Sequence, residues 1–571
     1  MNSAPDAPVT ASLDDPFYYL ANFRFVLSWV GQRHADLLAA DERAFLRQFD
    51  ALPRSSQALL VRMVMRKGEL FRLSKLSYAE VGDSGAAMAP LIALGWVDSD
   101  PALSIDELFN QLRLAELRQV LAAEMRAAGL SASSAKSVLY DTLASQLTEP
   151  QRLSQWWPSA SVASASTSDS VVRLNVMNIC DRLRLMFFGN LRQDWAEFVL
   201  TELGLQRFET VPFTPQSRAF QSRQEVDTYL VLHRLRQRLD AGELPADLHC
   251  EVPPPGDNRW LATRRARLLL HLGRAAERSG DSATALTLYG DSGSGEARIR
   301  QLRVLERLGE HPAAFELATQ ALNSHPNETE HQALARILPR LRRRLKLPAM
   351  SSDPEPAHER WDLTLPGPQS VERGVVQALS EPRAPVCYVE NSLLTGLFGL
   401  LCWPAIFAPL PGAFFHPFHN GPADLYRDDF VARRRDAFDT CLARLADGSY
   451  RDVMLATWRE KFGLVSPFVH WAIVDEPLVE LALACIPAEH LRVCFERLLG
   501  DLKANRAGLP DLIQFLPNAP EGSPRYRMIE VKGPGDRLQD NQRRWLKFFH
   551  RHDMPVAVCY VRWADRAEPV P

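Results

Sequence analysis

GLPDLIQF at residues 508–515, YRMIEVKGPGDRLQDNQRRWLKFF at 526–549 and VAVCYVRW at 556–563 decide how the end of this chain folds. Leu512 to Leu516 and Tyr526 to Val531 are rich in β-branched and apolar residues, which predicts two strands, and the Pro, Asn, Gly and Ser residues between them predict the hairpin that joins them. Asp540 to Arg551 predicts a helix capped by Asp540, and Val556 to Val561 a further strand. Side chains alternate along a strand, so Glu530 and Lys532 share one face while Val531 points into the core.

Asp at the first strand and Glu-x-Lys at the second, in the order strand, strand, helix, strand, is the PD-(D/E)xK nuclease pattern. The residue types suit phosphodiester hydrolysis, which needs a nucleophilic water and relief of charge building on the phosphate; carboxylate-held divalent ions supply both. Mg²⁺ or Mn²⁺ prefers oxygen donors and keeps several waters, so Asp511, Glu530 and the Val531 carbonyl suffice as protein ligands. Lys532 then positions the attacking water or neutralises the phosphate. Read without their neighbours, the same residues would serve equally as an ion pair on a surface hairpin.

Outward from this stretch the chain divides. At 571 residues it exceeds one hydrophobic core, so three or four domains are expected. Its 46% hydrophobic and 24% charged content is that of a globular protein rather than a disordered one. A Ser/Ala tract from Ser159 to Ser170, a softer break near Pro253-Pro254-Pro255-Gly256, and a Pro-rich stretch from Pro348 to about Gln369 set the boundaries. The expected regions are 1–158, helical and DNA-binding; 171–252, helical; 253–347, helical and repeat-like; and 370–571, the catalytic domain. In the third, Arg274 to Tyr289 and Arg303 to Leu322 overlay as helix pairs about Gly280 and Gly309; they resemble degenerate tetratricopeptide-like repeats, with a plain bundle as the alternative.

Several function classes recede on composition. The first sixteen residues hold no basic stretch followed by an apolar run, so an export signal is not expected and a cytoplasmic protein is. The uncharged run from Leu393 to Phe415 is broken by Pro404, Pro409 and Pro411, which predicts a buried helix and no membrane span. Eight scattered cysteines lack zinc-site spacing and read as reduced thiols. A net charge of −3 attracts no nucleic acid globally, so DNA binding has to rest on local faces. One such face is predicted where Arg62, Arg66, Lys67, Arg72 and Lys75 gather beside Phe71 and Tyr78; the alternative is a solvated helix surface.

GLPDL, EVKGPGDRL, the following NQ and WL, and VCYVRW resemble the VRR-NUC domain of the Fanconi-associated nuclease family. PFYYLANFRFVL, LVRMVMRKGELFRLSKLSY, PADLYRDDFVARRR, ATWREKFG and DLKANRAGLPD extend the resemblance over most of the chain, and residues 103–145 resemble the family's SAP module, which binds duplex DNA. The resemblance implies an α-rich multidomain protein with a mixed α/β nuclease domain at its C-terminus. It adds Glu390 as the glutamate that completes the metal site before a buried helix; a first-turn helix acid is the other reading. It places Gln542 behind the site, Arg537 in the loop before it, and Arg259 where a family arginine grips a 5′-phosphate. Animal members carry a ubiquitin-binding zinc finger that has no counterpart in these cysteines, so ubiquitin binding is not implied. The implied activity is cleavage of 5′ flaps with 5′-to-3′ exonuclease action in DNA repair, including interstrand crosslinks, by a monomer. A Holliday-junction resolvase and a non-catalytic DNA-binding scaffold are the alternatives.

Overall fold

The structure is a computed structural model that describes residues 15–156, 170–193, 195, 206–324, 326–349, 358–367 and 369–564. The chain forms two compact units, Met1–Gln206 with Ala219–Val226, and Arg207–Arg218 with Asp227–Pro571. No described helix is long and apolar enough to cross a membrane. The eight cysteines are all free, five of them buried outright besides Cys180 and two, Cys250 and Cys387, reaching solvent in part or fully.

In the first unit, helices Tyr18–Arg33, Ala40–Ala51, Arg54–Val64 and Ser84–Ala93 accompany a small sheet. Its strands are β1 (Leu70–Arg72), β2 (Val97–Asp98) and β5 (Val171–Leu174), in the order β1-β5-β2 and antiparallel throughout. The sheet corrects the expected boundary at 158: β5 lies beyond it and is the central strand. Three- and two-residue strands carry no readable alternation, and their partner in the chain is about 75 residues from one and about 100 from the other, so a helical reading of this region missed them. Between them β3 (Ala102–Leu103) pairs with β4 (Gln151–Arg152) around four short helices, whose core of Leu108, Leu117, Leu121, Leu139 and Leu143 is the spaced-leucine pattern of the SAP-like stretch. Ser104 and Glu107 form a capping box at its first helix.

In the second unit helix Pro245–Cys250 leads into stacked helices, Arg259–Arg278, Ser282–Ser292, Gly295–Leu308, His311–Asn323 and Glu328–Arg344. Gly280 and Gly309 both follow a helix with positive φ, 85° and 81°, so the overlaid halves share one turn geometry. The mixed five-stranded sheet follows, ordered β6-β10-β9-β8-β7, with β6 Glu359–Leu365, β7 Val386–Tyr388, β8 Leu512–Phe515, β9 Tyr526–Lys532 and β10 Val556–Trp563. β6 is a correction to the boundary at 370: the stretch taken as a linker contributes an edge strand paired in parallel with β10.

Alternation along β9 assigns its two faces. Ile529 and Val531 enter a core with Val375, Leu512, Cys559 and Val561, against helix Val371–Leu379. Tyr526 and Met528 enter a larger core with Leu397, Phe398, Trp545 and Phe549, from the buried helix Leu393–Leu401 and from helix Asp540–Arg551. The predicted helix at 540–551 has those bounds; its N-cap, however, is Gln539, because the Gln542 side chain closes a capping box on it.

Candidate active site

Three devices bring the acidic residues together. The β8–β9 register pairs Leu512 with Ile529, so the next position on each strand sets Asp511 beside Glu530. The Val389 N–H donates to the Asp511 carbonyl (2.8 Å) and the Leu509 N–H to Asn391 Oδ1 (3.0 Å), which ties the turn after β7, with Glu390 in it, to the GLPD loop. Gly508 lets that loop pass helix Asp540–Arg551: φ is 89°, and a Cβ there would lie 2.7 Å from the Asn541 carbonyl carbon.

The chemistry concentrates on the Tyr526–Met528 face at the end of β9. Glu530 and Lys532 are 1% and 7% exposed, which only a paired arrangement tolerates. Lys532 Nζ lies 2.7 Å from Glu530 Oε1, at an angle that leaves this buried oxygen without a hydrogen bond. Asp511 Oδ2 accepts from the Val531 N–H at 2.8 Å. Burial and the Asp511 charge push the Glu530 carboxyl up to about 8, against the pull of Lys532. Burial likewise pushes Asp511 up to about 6; the Val531 N–H and Lys532 oppose this, while Glu390 and Glu372 add to it. Two carboxylates that resist joint ionisation, one with an oxygen lacking a hydrogen bond, and the Val531 main chain between them are hard oxygen donors short of positive charge, so the residues present fit a divalent cation.

Glu390 is brought near but is not enclosed. It is exposed; its carboxylate accepts from the Tyr388 hydroxyl, and Asn391 Nδ2 lies 3.5 Å from its other oxygen. Among the described residues no three His, Cys, Asp or Glu side chains converge as a closed metal cage; Glu390 stands at the rim of a pair made of buried Glu530 and half-buried Asp511. The three carboxylates have different polar neighbours: the Val531 N–H at Asp511, the Lys532 ammonium at Glu530 and the Tyr388 hydroxyl at Glu390. Tyr388 and Glu372 were missed by sequence reasoning. A tyrosine two residues before Glu390 was a readable signal; Glu372 has none, since only the fold brings the start of helix Val371–Leu379 within electrostatic range of Asp511.

The remaining expected residues scatter. Gln542 Oε1 accepts from the Gln539 N–H at 2.8 Å, which commits that oxygen to the helix cap. Arg537 is exposed on the loop after Lys532. Arg259 starts its helix and donates to Asp429 at 2.6 Å while remaining 66% exposed. Arg66, Lys67 and Lys75 are exposed in the first unit. Arg72 is instead drawn inward into a bidentate pair with Glu116 at 2.7 and 2.8 Å, and Arg62 into a pair with Glu80, which corrects the expected five-cation face to three.

Three family models match the chain: the FAN1 HTH domain over residues 17–98, the Fanconi anemia-associated nuclease SAP domain over 102–156, and the VRR-NUC domain over 445–563. The Fanconi-associated nuclease 1 homolog of Pseudomonas aeruginosa is 51% identical over 98% of both chains. The chain belongs to the Fanconi-associated nuclease 1 family. The homolog of Arabidopsis thaliana is 26% identical over 96% of this chain and 67% of its own, and the human protein 23% over 95% and 62%. A crystal structure of paFAN1 bound to 2nt 5′flap DNA with gap superposes with a TM-score of 0.88, at 51% identity, covering 97% of this chain and all of that one. The chain is therefore a DNA-cleaving enzyme of a divalent-metal-dependent family, and the scaffold alternative is set aside.

Proposed function

We propose that this enzyme cuts branched DNA near the junction of a 5′ flap, a few nucleotides into the duplex, and proceeds with 5′-to-3′ polarity using Mg²⁺ or Mn²⁺. The observation that carries this is buried Glu530 beside half-buried Asp511, answered by one buried lysine, in a family with a member captured on flapped DNA. A bound divalent cation supplies charge neutralisation and an acidified water. Asp511, Glu530 and the Val531 carbonyl hold it, and Glu390 completes its shell from the rim. The Lys532 ammonium, 2.7 Å from Glu530, orients the nucleophilic water or balances the phosphate charge. Arg537 and the free amide group of Gln542 border the strand being cut. Arg66, Lys67 and Lys75 bind duplex through phosphates, and Arg259 meets the 5′ end. The protein acts as a cytoplasmic, nucleoid-associated monomer in DNA repair, including release of interstrand crosslinks.

The test is cleavage of an end-labelled 5′-flap duplex by native protein, Asp511→Ala and Lys532→Ala. Cutting near the junction by native protein alone, with all three binding equally, is the expected result. Equal cutting by the variants removes the assigned site. Preference for a four-way junction, with a solution mass of two chains, replaces flap cleavage by junction resolution.

A further inference from the structure

A groove of about 230 Å³ runs beside helix Asp540–Arg551, on the side away from its buried Trp545 and Phe549. Arg543, Lys547 and His550 form one of its walls. Their spacing of four and three residues puts them on one stripe, about 10 Å long. Leu538, Leu546 and Val556 give it an apolar floor. Glu359, its one acid, is partly answered: its carboxylate accepts from Trp361 Nε1 at 2.9 Å and lies 3.6 Å from Arg527.

The position of this groove follows from the topology. The helix leaves the loop after Lys532 and returns to β10, which runs parallel to β9 with Val556 opposite Met528. The helix therefore runs back along β9, and the groove starts at the catalytic end, at Leu538, and leads away to Val556. Arg543 Nε donates to the Leu538 carbonyl at 3.3 Å, joining the mouth of the groove to its wall. A duplex hides its base faces and has no use for an apolar floor; a single strand offers phosphates to the cations and bare bases to the floor at once. On the reading that the substrate carries a 5′ flap, we infer that this groove is the track of single-stranded DNA extending from the active site.

The test uses the full chain, with Lys547→Glu/His550→Glu against native protein and Lys547→Arg. Binding is read by fluorescence anisotropy without divalent metal on a nicked duplex, a 2-nucleotide flap and a 12-nucleotide flap. Native protein and Lys547→Arg gain affinity with flap length, and the double variant loses about tenfold on the long flap while holding the nicked duplex as before. Photocrosslinks from thiothymidines placed in the flap map to residues 538–556, and crosslinks there only from the strand beyond the cut overturn the flap as the occupant of the groove. Equal length dependence in native and variant, or competition by a mononucleotide as strong as by a 12-mer, overturns the track. A native protein that neither binds nor cuts the 2-nucleotide flap overturns the flap reading instead.

Discussion

The two ends of the chain handle charge in opposite ways. In the first unit cations and acids answer one another pair by pair: Arg62 with Glu80, Arg72 with Glu116, Arg173 with Glu107, Arg182 with Asp41 and Glu42. At the end of β9, buried Glu530 and half-buried Asp511 lie side by side and share one lysine. A charge with its own partner holds architecture together; buried charges left short of partners have been kept at a cost in stability, and that cost marks chemistry. Arg66, Lys67 and Lys75 of the first unit stay exposed at the surface, as the proposed duplex contact requires.

The comparison breaks most decisively at Glu530. Glu530→Gln preserves shape and removes a carboxylate that can ionise to hold a cation, and is expected to lower cleavage about a thousandfold or more with binding unchanged, read by single-turnover assay. Gly508→Ala sets a Cβ against Asn541 at positive φ and is expected to cost about 2 kcal/mol in denaturant unfolding, with cleavage falling more than tenfold as Asp511 shifts. If its cleavage is unaffected, the loop does not position Asp511.

Next in size is the response to pH. Asp511 and Glu530 titrate at about 6 and about 8, above their ordinary values, so protons compete with a cation for the same oxygens. Cleavage at subsaturating Mg²⁺ is expected to rise from pH 6 to pH 8, and more metal should move the rise to lower pH. A rise that stays put across metal concentrations would assign it to another group. The effect on folding has the opposite sign: a carboxyl with a raised folded value loses stability as pH climbs toward that value.

The smallest effects sharpen the other side. Arg66→Ala and Lys67→Ala are each expected to weaken duplex binding a few-fold and to reduce the salt slope by about one. Arg72→Ala should leave that slope alone and lower stability by about 1–2 kcal/mol, since it strands Glu116. A slope change at Arg72 as large as at Arg66 would mean that the Glu116 pair opens on DNA.

Sequence by itself determined the strands of the candidate site and that Asp511, Glu530 and Lys532 would meet there, because strand alternation is local and phosphate chemistry admits few side-chain types. The buried helix after Glu390 and the spaced leucines near residue 110 were legible for the same local reason. Tertiary structure alone decided what depends on distant pairings: β5 between β1 and β2, β6 on the sheet edge, Arg72 on Glu116, Glu390 on Tyr388 at the rim, and Glu372 within range of Asp511. Those outcomes follow from which surfaces meet and which charges are then desolvated, and neither is a property of any short stretch of chain.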